Sequence, residues 1–142
     1  MSTQSLWPSF GETPSQMTPK ILLQQQAKLL ETITNSYISA EVITSKHPTL
    51  LNKVSHILKI TAPKVENYST IIVEVDHDLI KLYPLTVVSR IKAMPVTYNA
   101  TNESEFLVML NKVFEERETI DTIQSLLIQS KSNESYQNGT LK

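Results

Sequence analysis

Apolar positions recur along this chain in three successive rhythms. From Thr18 to about Asn35, Ile21, Leu22, Leu23, Ala27, Leu29, Leu30 and Ile33 fall on one broad face of a 3.6-residue period. Gln24, Gln25, Gln26 and Lys28 lie mostly opposite. Thr18-Pro19 supplies a cap followed by a proline at the first helical position, and Asn35-Ser36 supplies a stop. The spacing therefore predicts a helix.

The period then drops to two. Strands are expected at about Tyr37–Ser45, Lys53–Ala62, Tyr68–His77 and Leu85–Ala93, the last continuing towards Tyr98. In the second, Val54, His56, Leu58 and Ile60 share a face. In the third, Ile71, Val73, Val75 and His77 share one face, and Ile72, Glu74 and Asp76 the other. In the fourth, Thr86, Val88, Arg90 and Lys92 oppose Leu85, Val87 and Ile91. The links are too short for parallel crossovers, so the strands form an antiparallel meander.

The helical period returns at Asn102, with Glu105 three residues on, as in a capping box. Phe106, Leu107, Leu110, Val113 and Phe114 carry it. After the polar run Glu115–Glu118, Thr119 can cap a last helix bearing Ile120, Ile123, Leu126 and Leu127, unless one long bent helix spans both. The fold class is α+β: an N-terminal helix, a four-stranded antiparallel sheet, and one or two C-terminal helices packed on the same sheet face. Residues 18–130 form the domain. Residues 1–17, rich in Ser, Thr, Gln and Pro, form a flexible arm that nonetheless holds Trp7 and Phe10, and residues 131–142 form a polar, disordered tail.

Composition narrows the chemistry. Apolar residues make up 40% of the chain, enough for a core, and the net charge of −1 offers no field to draw nucleic acid or an anionic membrane. With no cysteine there is no disulfide, thiolate nucleophile or thiolate metal site. No basic-then-apolar leader and no apolar run of about 18 residues occurs, which makes the cytoplasm the default location. Lysine greatly outnumbers arginine, hinting at an AT-rich, bacterial genome. From Glu12 to Asn138 there is no glycine, which removes phosphate-cradling loops, dinucleotide fingerprints and nucleophile elbows. No cofactor is expected.

Four polar residues invite an enzymatic reading: His56 and His77 as base or ligand, with Asp76 and Asp78 as partners, in a small hydrolase or metal-dependent enzyme. The pleat opposes it, because His77 points away from the acids on either side of it. His56 and His77 can pair across strands, but two histidines without a third ligand make a poor metal site. His47, before Pro48, is expected in an exposed loop. Glu74, Asp76 and Asp78 form an acidic row that Arg90 and Lys92 can face across a hairpin. Lys81, Arg90 and Lys92 near Tyr83 make a weak nucleic-acid patch at most.

These exclusions favour a non-enzymatic protein-binding or assembly module, acting as a homo-oligomer and not on a membrane. Ile57, Ile72 and Val88, apolar on the wetter sheet face, with Arg90 and Lys92, are the expected binding residues.

Overall fold

A computed structural model describes residues 4–11 and 17–137, the side chains of residues 136 and 137 excepted. Helix α1 spans Pro19–Ile33. Thr18 caps it, its hydroxyl accepting the Ile21 N–H at 3.1 Å, and Pro19 opens it where an N–H would have no partner. Thr34 ends it by donating its hydroxyl to the Leu30 carbonyl at 2.8 Å. Asn35 and Ser36 then adopt left-handed φ angles of 50° and 64° and turn the chain into the sheet.

Five strands follow: β1 (Ser39–Lys46), β2 (Lys53–Ala62), β3 (Tyr68–Asp78), β4 (Leu85–Ser89) and β5 (Val96–Ala100). They pair antiparallel in sequence order. The fifth strand corrects the four-strand expectation. Where one long fourth strand was read, the chain leaves the sheet after Ser89, passes Pro95 and returns as β5 beside β4. Proline cannot donate to a ladder, so the apolar rhythm continues while the strand does not.

Helix α2 spans Glu103–Phe114 and α3 spans Arg117–Gln137. Asn102 caps α2 by accepting the Glu105 N–H at 2.9 Å, while the Glu105 carboxylate reaches back to the Thr101 N–H at 2.7 Å. There are thus two C-terminal helices. Thr119 does not cap the second. It is buried inside α3 and donates its hydroxyl to the Val113 carbonyl at 2.8 Å, satisfying the end of α2 instead. Residues 131–137, expected in a disordered tail, continue α3, with Asn133 donating to the Lys64 carbonyl at 2.7 Å. No helix among the described residues is long and apolar enough to cross a membrane.

The helices cover one face of the sheet. Leu22, Leu23 and Ala27 of α1, Leu58, Val73, Val75 and Val87 of the strands, and Phe106, Leu110 and Val113 of α2 form the core. A β-bulge in β3 sets what reaches it. Leu58 pairs with Val73, but Lys59 pairs with Ile71, leaving Ile72 as the extra residue. The bulge turns Ile72 into the core and Ile71 outwards, where it lines a shallow depression with Ile57 and Arg90. Ile72 is therefore not on the outer face, where its expected binding role had placed it.

Candidate functional site

The two histidines do meet, on the helix-covered face. Register places His56 opposite Val75 and His77 opposite Val54, so the imidazoles are diagonal neighbours, with Nε2 atoms 2.7 Å apart. Their outer nitrogens fix the protons. Nδ1 of His77 lies 2.7 Å from the Asp78 carbonyl, so it carries a hydrogen and donates. Nε2 of His77 must then accept from His56, whose Nδ1 accepts the Thr44 hydroxyl at 2.8 Å. Each ring nitrogen thus has a partner. Burial, helped by the charges of His77 and Lys20, holds His56 down at about 4, so it stays uncharged at neutral pH. Such a chain has no free lone pair with which to take a proton from a substrate or to bind a metal.

The acids lie on the other face. Ser45, Ser55, Asp76, Thr86 and Asn99 form one row across the five strands, and Ile43, Ile57, Glu74, Val88 and Thr97 form the next. Asp76 is buried under the β1–β2 loop and accepts a hydrogen bond from the Ser55 hydroxyl. Burial, then a hydrogen bond with Glu74, pushes Asp76 up to about 6. Burial would raise Glu74 too, but its bonds from Asp76 and Arg90 outweigh that and hold it below its ordinary value. Arg90 neutralises the Glu74 side of this pair, its guanidinium 2.7 Å from the carboxylate.

His47 stands above this pair, half-buried rather than exposed, with Nε2 4.0 Å from Asp76. One ligand atom each from His47, Glu74 and Asp76 fall within 4.8 Å of one another, a spacing that suits a cation. The imidazole is set wrongly for one. Its Nδ1 accepts the backbone N–H groups of Thr49 and Leu50 at 3.3 and 3.1 Å, which puts its proton on Nε2, facing the acids. A ligating histidine presents a lone pair to the metal and donates from the other nitrogen. The Ser55 hydroxyl donates to the Asp76 carboxylate and not to an imidazole, so it has no histidine base.

The remaining expected residues are dispersed. Lys92 does not face the β3 acids. It lies beyond the end of β4 and pairs with Glu116 at 2.8 Å, while Asp78 pairs with Lys53 at 3.0 Å. Val88 lies beside Glu74 on the outer face and is nearly buried, and Ile57 is half-buried. Of the three cations Lys81, Arg90 and Lys92, two are thus tied to carboxylates.

A more apolar feature lies in the helical layer. Leu29 and Ile33 of α1 face Phe114 of α2 and Ile123 of α3 across a cleft of about 210 Å³, floored by Leu58 and Ile72 of the sheet. Its polar lining comes from Gln26 and from Thr119, whose hydroxyl is already engaged by Val113. At the mouth Ile33 remains 75% exposed and Leu29 50%. No protein-family model matches this chain. Comparisons with curated proteins and with solved structures find no match either.

The fold thus brings His56 to His77 and Asp76 to Glu74, His47 and Ser55, and separates the two groups by the thickness of the sheet. Sequence reasoning missed Ser55 and His47, which a loop position alone cannot place over β3. It also missed the cleft. The signal for the cleft was present in the width of the α1 apolar stripe, since Leu29 and Ile33 lie at the edge of what one sheet face can cover.

Proposed function

We propose that this protein is a non-enzymatic protein-binding module that self-associates through the helical layer. The supporting observation is the apolar cleft between α1 and the α2–α3 pair, with Leu29 and Ile33 exposed at its rim. Water against such a surface is unfavourable, at roughly 25 cal/mol per Å² of apolar area, and a protein partner removes it. The enzymatic alternative draws less support, because His56 and Asp76 face opposite sides of the sheet and the facing nitrogens of His56 and His77 are taken up by each other. Of the three cations of the nucleic-acid alternative, Arg90 and Lys92 are held in ion pairs with acids, which leaves Lys81 alone outside one among the described residues.

Sedimentation equilibrium tests the reading. The wild-type chain should associate reversibly, and Ile33→Lys, placing a charge at an exposed rim position, should shift the equilibrium to monomer by about tenfold or more without changing far-UV circular dichroism. A chain that stays monomeric at millimolar concentration removes it.

A further inference from the structure

Two features of this molecule are unsatisfied at once, and their chemistry matches. One is the cleft. The other is the N-terminal arm, where Leu6 is 95% exposed and Trp7 and Phe10 are each 78% exposed. Large aromatic groups bury about 150–250 Å² each when they find a site, so leaving two in water is costly. We propose that the arm of one copy seats Trp7 in the cleft of a second copy, and that the exchange is reciprocal. This rests on the self-associating reading above.

Size selects the kind of occupant. Pockets that take free small molecules run from roughly 300 to 1,000 Å³. A cavity of about 150 Å³ already holds a benzene ring. The cleft, at about 210 Å³, falls between them, in the range of one bicyclic side chain. Polarity then selects tryptophan. An indole carries a single donor, Nε1–H, which needs one acceptor when buried. Among the described residues the cleft has one uncommitted polar side chain in its wall, Gln26, whose amide oxygen can supply it, since the Thr119 hydroxyl already donates to Val113. Phe10, three residues on and without a polar group, suits the apolar rim at Ile33 and Leu29.

The second copy is selected by the single chain. Within it Trp7 stays in water, and no described arm residue lines the cleft. A two-fold pair lets each copy provide the ring that fills the other, closing the assembly at a dimer.

Trp7 is the sole tryptophan of the chain, so indole fluorescence reports this contact alone. Emission and acrylamide quenching of the full-length protein should be followed against concentration, alongside sedimentation. The expected result is a blue shift and a several-fold fall in quenching that track dimer formation. Ile33→Lys should hold the emission at its exposed position. Trp7→Ala should weaken dimerisation about tenfold or more while leaving circular dichroism unchanged, and Gln26→Ala should weaken it several-fold. A dimer in which Trp7 stays fully quenchable, and which Trp7→Ala leaves intact, overturns the arm exchange but spares self-association. A blue shift independent of concentration shows the arm folding onto its own chain and also overturns it. A monomer with exposed indole at every concentration overturns both readings.

Discussion

Among the described residues, five carry left-handed φ angles without being glycine: Asn35, Ser36, Asn52, Glu66 and Asn67, between 50° and 64°. Asparagine tolerates this region because its short amide bonds the local backbone, but serine and glutamate gain little there. Ser36 follows α1, and Glu66 sits in the β2–β3 turn, both exposed. A left-handed residue with a Cβ costs about 1–2 kcal/mol, and the extra freedom glycine brings to the unfolded chain returns part of that. Ser36→Gly and Glu66→Gly should therefore each stabilise the protein by about 0.5–1 kcal/mol, read as a higher urea midpoint at unchanged slope. An unchanged or lower midpoint for both would show that the turns are relaxed as they stand. The lack of glycine between Glu12 and Asn138 excludes phosphate loops, but it does not imply ordinary backbone throughout.

The strands of the sheet were legible because alternation survives in β2 and in most of β3. What was not legible was the bulge. Ile71 and Ile72 are chemically identical, so nothing in their order says which one faces the core. Only the pairing with β2, and the Arg90 N–H that donates to the Ile72 carbonyl at 3.0 Å, decides it. The break between β4 and β5 was hidden for a related reason, since apolar residues continue on both sides of Pro95. His56 and His77 could be placed on one face from the sequence. Their tautomers depend on Thr44 and on a backbone carbonyl, which spacing does not reveal. The bulge makes a contrast that can be measured. Ile72→Asp would bury a charge in the core and should cost at least about 4 kcal/mol, leaving the chain largely unfolded by circular dichroism. Ile57→Asp, on the outer face, should cost about 1 kcal/mol and leave a folded protein. Equal effects would mean that β3 has no bulge and that both isoleucines face the same environment.

At the scale of the whole molecule, the two polar clusters act on stability in opposite directions. His56 on the covered face has its pKa held near 4, below the ordinary 6.5. Its neutral form is favoured by the fold, so its contribution is full above about 6.5 and is lost as pH falls towards 4. Asp76 on the outer face is raised from 3.8 to about 6. Here the protonated form is favoured, so the contribution is full below about 3.8 and is lost as pH rises through 6. Between pH 4 and 6 one slope rises while the other falls, and the wild-type protein should show a nearly flat stability. Asp76→Asn removes the falling slope alone. The amide is isosteric, its oxygen still accepts from Ser55, and its NH₂ can donate to Glu74 as the protonated acid does. The variant should gain on the order of 1–2 kcal/mol at pH 7.5, where the wild type must ionise a buried acid beside Glu74. It should also become more acid-sensitive in slope, its stability rising by on the order of 2 kcal/mol from pH 4 to 6.5 as His56 loses its proton in the unfolded chain. Urea midpoints at pH 4.5, 6 and 7.5 measure both effects. Curves for wild type and variant that run parallel would show that Asp76 ionises at its ordinary value. Because the clusters are separated by the sheet, neither change should alter the α1–α3 cleft, and the variant should self-associate as the wild type does.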